Sequence, residues 1–271
     1  MAAVRASTRR RVDAGRIPAP ARVLAAVALA FFVLPVVGLL WRAPWSELWG
    51  QLSDPVTRDA LRVSMICSLG ATALSIVFGV PLAWLLARAE FPGRRVARAC
   101  VLLPMILPPV VGGVALFLAF GRRGIVGQYL DDWFGLRLPF TTFGAIVAET
   151  FVAMPFLVIT VEAGLRGLDR RYEDAAATLG ASRWTSFRRV TLPLAAPSLA
   201  AGAALAWARA LGEFGATVTF AGNFQGKTQT MPLAIFLAFE SRPESAILLS
   251  LVLVAVSLVV LASLRDRWLR L

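Results

Sequence analysis

Long apolar runs separated by short, arginine-bearing segments organise this chain. They lie at about residues 23–41, 63–87, 100–120, 142–161, 194–221 and 245–264. Each comes close to or exceeds the roughly 18 to 20 residues with which a helix crosses a bilayer core. The pattern predicts an all-α membrane protein of six transmembrane helices behind a basic tail at residues 1–22. The tail and first run together have the outline of a secretion signal. The run is long, however, and ends in GLLWRAPW without a small-x-small cleavage site, so it is read as an uncleaved first span.

Two runs carry residues that a plain membrane helix avoids. The third contains LLPMILPPVVGG, including Pro108 and Pro109, and cannot form one regular helix without freeing backbone groups that need burial or a wet cavity. The fifth ends in ARALGEFGATVTFAGN, with Arg209, Gly212, Glu213, Gly215 and Thr217. Arg209 and Glu213 are i, i+4 and can pair on one face, while Gly212 and Gly215 allow close helix contact. That pair either locks helix packing or lines a pathway; spacing leaves both open. Of the weaker acidic cases, Glu162 near a span end reaches water and Glu149 hydrogen-bonds to a neighbouring span. Pro81 is placed to kink the second span. Between the runs, residues 42–62 are polar and tryptophan-bearing, 121–141 form an exposed loop with room for a short interfacial helix, and 222–243 form a loop.

Composition sharpens the class. Of 271 residues, 58% are apolar and 16% charged, too few charges for a soluble domain's surface. The formal charge of +12 comes from 27 Arg and one Lys, and in a membrane protein such excess reports topology rather than a nucleic-acid partner. Placing both termini inside puts 19 basic residues in the segments assigned to the cytoplasm and 8 in those opposite. That bias predicts cytoplasmic N and C termini and a cytoplasmic 169–193 segment in the plasma membrane. With no histidine, histidine-based haem, metal and acid–base chemistry is excluded. Cys67 and Cys100 fall in apolar runs and read as small core residues. Asp131 and Asp132 sit beside Trp133 as a solvated turn.

The longest polar interruption is residues 169–193, DRRYEDAAATLGASRWTSFRRVTLP. Asp169 can cap a helix whose Tyr172, Ala175, Ala176 and Leu179 share a face; Gly180 ends it, and Ser182 can cap a second helix bearing Trp184, Phe187 and Val190. Amphipathicity alone fits a helix on the bilayer surface as well as a docking handle, which as a rigid two-helix unit continuous with the fifth span would carry a push into the membrane. The spacing resembles the "EAA" loop of ATP-binding-cassette (ABC) importer permeases: Asp174-Ala175-Ala176, three residues, Gly180, nine residues, Val190, Thr191, Leu192-Pro193. Asp stands for Glu and Val for Ile, and either Glu173 or Asp174 fills the acidic role. The resemblance implies that this loop couples to a cytoplasmic ABC ATPase subunit, which binds the ATP and magnesium; the chain itself carries no GxxxxGK[ST] phosphate loop, no cofactor and no catalytic residue.

ARALGEFGATVTFAGN, TQTMPLAIF at 228–236 and LLPMILPPVVGGVALFLAFGRRG look like the molybdate-type branch of oxyanion importer permeases, over about residues 57–264. Sulfate and thiosulfate permeases are similar around ARALGEFGA, and tungstate is a further candidate. The resemblance implies the type I ABC importer permease fold, a permease homodimer, and an extracytoplasmic oxyanion-binding protein. The third and fifth spans would line the pathway, with small residues and helix-end amides suited to an anion. A transporter driven by an ion gradient, with Glu149 and Glu213 relaying protons, is the rival of another class.

Overall fold

The computed structural model describes residues 18–268, so most of the basic tail lies outside the described residues, and residues 19–22 already belong to the first helix. The chain separates into residues 1–43 and 44–271. The first unit holds α1 (Ala19–Arg42), apolar around its whole circumference apart from its ends, the pattern of a helix solvated by lipid.

The second unit follows as α2 (Pro55–Arg88), α3 (Arg94–Ile106), α4 (Pro109–Phe120), α5 (Gly127–Phe134), α6 (Thr142–Gly167), α7 (Arg171–Thr178), α8 (Arg183–Ser186), α9 (Ala196–Leu211), α10 (Gly215–Ala221), α11 (Met231–Ser241) and α12 (Pro243–Trp268). No strand occurs among the described residues. Helices α1, α2, α6 and α12 are each long and apolar enough to cross a membrane. A fifth crossing is formed if Arg183–Leu194 and α9, bent by 72° at Ala195, count as one. Helix α2 runs on past Pro81 as a single 34-residue helix, about 50 Å at 1.5 Å per residue, and so outreaches the hydrocarbon at its ends.

Two of the expected spans are not single helices. The third breaks between α3 and α4, because Leu107 and Pro108 each precede a proline and are pushed to extended backbone, with ψ of 136° and 133°. The fifth breaks between α9 and α10 at Gly212, Glu213 and Phe214, without a proline. Residues 222–243, expected to be a loop, contain α11. Asp131, expected in a solvated turn, lies in α5 and accepts hydrogen bonds from Arg122 at 2.9 Å and Arg137 at 2.8 Å. Those guanidiniums, Arg137 foremost, hold its carboxyl below the usual carboxylate range. Cys67 is buried as expected, but Cys100 is exposed on α3.

The core is a three-helix pack of α2, α6 and α9, in which Ala71, Ala83, Ala87, Ala153, Ala206 and Ala210 bring backbones close around Leu86, Leu157 and Leu165. Small residues serve this purpose where lipid offers no hydrophobic drive for association. Gly202 shows the limit: a Cβ there would lie 3.2 Å from the Leu157 backbone. A second cluster joins α4 to α10 and α6 through Leu116, Ala216, Phe220, Ala148 and Val152.

Segments that alternate in sequence gather at two ends. At one end, Arg88 donates to Glu173 and to the Leu168 carbonyl, and Arg98 pairs with Glu162. At the other, Thr142 Oγ1 donates to the Lys227 carbonyl at 2.8 Å, Phe140 faces Phe224, and the Met231 amide donates to Ser64 Oγ. Two of the arginine-rich segments assigned to one side, 88–98 and 163–193, thus meet in space, as alternate crossings require.

The tightest junction is between the two broken spans. A Cβ on Gly215 would fall 2.8 Å from Pro109 Cβ and 3.1 Å from the Val110 nitrogen, whereas Gly212 is exposed with its nearest neighbour at 3.6 Å. Gly215→Val is expected to destabilise the detergent-solubilised protein by about 1–3 kcal/mol through overpacking, read as a lower Tm. Gly212→Ala, in open space, is the control and should leave Tm nearly unchanged.

Candidate functional site

The 169–193 segment folds as its sequence dictates. Asp169 Oδ1 accepts the Arg171 amide at 3.0 Å, opening α7. Gly180 takes φ of +83°, with its amide bonded to the Ala177 carbonyl and the Ala181 amide to that of Ala176, the paired closing bonds of a glycine C-cap. Ser182 Oγ accepts the Thr185 amide at 3.2 Å and starts α8, which continues as a wider turn over Phe187–Thr191 into Leu192–Leu194. This handle is not collinear with the following span: the chain turns by 72° into α9.

Burial divides the handle into an anchored side and an open side. Phe187 is buried, its ring 4.5 Å from Trp84 of α2 and 5.5 Å from Trp184. Leu192 packs against the main core, Val190 is half-buried, and Pro193 is exposed. Glu173 turns inward: its Oε1 accepts from Arg88 Nε at 3.2 Å and from Thr191 Oγ1 at 3.0 Å. Because Arg88 also donates to the Leu168 carbonyl and Thr191 to Glu173, the Arg88–Glu173 pair ties α2, the end of α6 and both halves of the handle. Asp174 is exposed instead, beside exposed Ala175 and half-buried Ala176, and borders a cleft of about 530 Å³ with Ala177, Ala181 and Arg183. Tyr172 (58% exposed), Leu179 (89%) and Trp184 (64%) complete an apolar surface that the described residues do not cover.

The second group is the pair of broken spans. Arg209 Nη1 meets Glu213 Oε2 at 2.6 Å, and the other oxygen, Oε1, accepts the Ala216 amide at 2.8 Å. Glu213 is 1% exposed, so its carboxylate bridges the break: it neutralises Arg209 at the end of α9 and satisfies a first-turn amide of α10. This explains how the chain breaks at membrane depth without proline. Gly215, buried, seats α10 against Pro109 and Val110 of α4, and Gly113 lies against the Ala216 carbonyl and Thr219. Pro108 and Pro109 are exposed. Thr217 is fully buried, and its Oγ1 has no hydrogen-bond partner among the described residues.

Four expectations are corrected. Gly212 makes no close helix contact. Glu162 does not reach water but is buried between Arg98 and Arg166. Glu149 is 1% exposed and its Oε2 finds no partner on a neighbouring span among the described residues. The handle bends away from the fifth span rather than continuing it. Sequence reasoning also missed Arg88 and Thr191 as partners of Glu173, since 85 and 18 residues separate them from it and no local pattern links them.

Residues 79–271 match the family described as "Binding-protein-dependent transport system inner membrane component". The "Molybdenum transport system permease protein ModB" of Mycobacterium tuberculosis is 43% identical over 243 residues, 90% of this chain and 92% of its own. Its Escherichia coli K12 namesake is 39% identical over 218 residues, covering 80% and 95%. The "Sulfate transport system permease protein CysT" of the same organism is 38% identical over 239 residues, covering 86% of each. Among solved structures, a bacterial ABC transporter importing the polysaccharide alginate aligns with a TM-score of 0.70 at 18% identity, over 93% of this chain and 95% of its own. An amino acid ABC transporter aligns with a TM-score of 0.58 at 16% identity, over 80% and 94%.

The asymmetry between the two neighbouring carboxylates is measurable. Glu173→Gln or Arg88→Gln should speed amide hydrogen exchange across α7 by about tenfold or more, since a hydrogen bond to a charged group contributes about 1.5–3 kcal/mol. Asp174→Asn should leave that exchange unchanged; equal effects from both positions would contradict the geometry.

Proposed function

Because this chain belongs to the family of binding-protein-dependent transport system inner membrane components, and has the fold of ABC importer permeases, we propose that it is the permease subunit of an ATP-driven molybdate importer. In this reading two copies form the translocation pathway. Two cytoplasmic ABC ATPase subunits bind ATP and magnesium, and an extracytoplasmic binding protein delivers the oxyanion. Both termini and the handle face the cytoplasm, which agrees with the arginine bias and with the gathering of the arginine-rich segments at one end.

The single observation that carries the coupling role is the split of the handle. Its inner side is bonded to the membrane helices, while Tyr172, Leu179, Trp184, Ala175 and Asp174 stay open to a partner. A surface helix on the bilayer would need no such brace. A partner seated on α7 and Gly180 moves the handle, and the Glu173–Arg88–Thr191 tie passes that movement to α2 and α6. Handles drawn together by ATPase closure open the path outward; hydrolysis releases them. This is the two-state element that a transport cycle requires.

The pathway role falls to α4 and α10, whose close seating at Gly113 and Gly215 leaves no room for a side chain. Arg209, already neutralised by Glu213, contributes to holding the broken helix rather than to high-affinity anion binding. Selectivity then rests mainly with the binding protein. Molybdate is favoured over sulfate by the 43% identity to a molybdenum permease against 38% to a sulfate permease.

In the reconstituted complex, Leu179→Ala or Ala176→Trp should weaken ATPase docking by about tenfold or more, the scale of an interface anchor, and abolish stimulation of ATP hydrolysis by loaded binding protein. Intact coupling in a folded complex would remove the handle assignment. Uptake of labelled molybdate should be suppressed by excess molybdate but not by the same concentration of sulfate; equal suppression would move the chain to the sulfate branch.

A further inference from the structure

At the handle end of the bundle, α3 and α6 enclose a slot of about 410 Å³ that the transport reading leaves without a task. Helix α3 starts at this end and α6 finishes there. Glu162, 6% exposed in the last turns of α6, lies at the centre. Arg98 of α3 donates to it through Nη2, and Arg166 of α6 forms an ion pair with the same oxygen, Oε1, its Nη2 at 2.9 Å. Two guanidiniums therefore share one carboxylate, leaving one net positive charge. Each guanidinium has five N–H donors, and the two side chains remain 33% and 44% exposed, so donors are left over at the slot.

The rest of the lining is apolar, and it lies deeper. Val101 and Leu102 are three and four residues into α3 from Arg98, about 5–6 Å further along at 1.5 Å per residue. Ile159 is one turn inward of Glu162 on α6. Charge sits at the helix ends, where a bilayer has its headgroups, and hydrocarbon contact lies below it. A hydrated transported dianion has no use for such a floor. A phospholipid has both parts.

From this arrangement we infer that the slot binds an anionic phospholipid, with its phosphate against Arg98 and Arg166 and the start of an acyl chain along Val101, Leu102 and Ile159. Basic pockets between membrane helices take anionic headgroups for the same electrostatic reason. The inference needs only that the chain is embedded in a bilayer, so it stands or falls separately from the identity of the transported anion. The bound lipid would clamp α3 to α6.

The test uses the purified full-length chain in detergent, titrated with short-chain phosphatidylglycerol, short-chain phosphatidylcholine or inorganic phosphate. Native mass spectrometry reads retained lipid and thermal unfolding reads stabilisation. Phosphatidylglycerol should be retained and raise Tm, while phosphatidylcholine and phosphate alone should not. Arg166→Gln, which leaves Arg98 to pair Glu162, should weaken retention about fivefold. Glu162→Gln frees both guanidiniums and should strengthen it, an opposite sign that general destabilisation does not produce. Equal retention of the two lipids overturns the inference. So does stabilisation by phosphate alone, which marks a simple anion site, or a loss of retention in both variants. Should Glu162→Gln fail to fold, the lipid comparison on the unaltered chain and Arg166→Gln still decide.

Discussion

Everything in the membrane part of this protein answers to one constraint: hydrocarbon supplies no hydrogen bonds, so each break in a helix must be satisfied by the protein itself. Two such breaks, before α4 and before α10, lie side by side and are resolved together. Prolines open the gap before α4, where the missing amides need no partner, and the carboxylate of Glu213 closes the gap before α10 by bonding the Ala216 amide and Arg209 at once. The two short helices then cover one another, with Gly113 and Gly215 removing the side chains that would hold them apart. At the α9–α10 break Glu213 and Gly215 are buried, whereas Pro108 and Pro109 before α4 stay exposed.

The same economy appears at the handle. An exposed two-helix protrusion is a poor lever unless it is fixed to what it must move. Here Phe187 against Trp84 supplies the packing, and Glu173, Arg88 and Thr191 supply the direction. Ion pairs at open surfaces contribute little, but this one has side chains only 13% and 24% exposed and joins four backbone segments. Neighbouring residues Glu173 and Asp174 thus divide the work, one holding inward and the other free outward. Proposed coupling to an ATPase and the lipid slot between α3 and α6 both lie at this end, where the arginines are concentrated.

Much of the organisation was legible in the linear chain, for physical reasons that are local. Apolar run length marks membrane helices: the runs at 63–87, 142–161 and 245–264 lie within α2, α6 and α12, whose polar ends run on beyond them. The handle was legible in more detail: Gly180 and Ser182 cap their helices as spacing predicts, while Asp169 sits one residue ahead of the cap position, Arg170, and accepts the Arg171 amide. Helix α11 was missed because its apolar stretch of eleven residues is too short for a span and was absorbed into a loop.

The sequence by itself determined the helical membrane class, the interruption of the third run at Pro108 and Pro109, and the register of the handle, because each depends on contacts within about one turn; the break in the fifth run at Glu213 came only from the structure. Only the tertiary structure decided which carboxylate faces inward, since the partners of Glu173 come from distant elements. It alone showed that Glu162 is shared by two arginines and that Gly215, not Gly212, carries the close approach. Those choices rest on how α2, α4, α6 and α10 pack in three dimensions, where a residue's neighbours are set by the fold and not by its place in the chain.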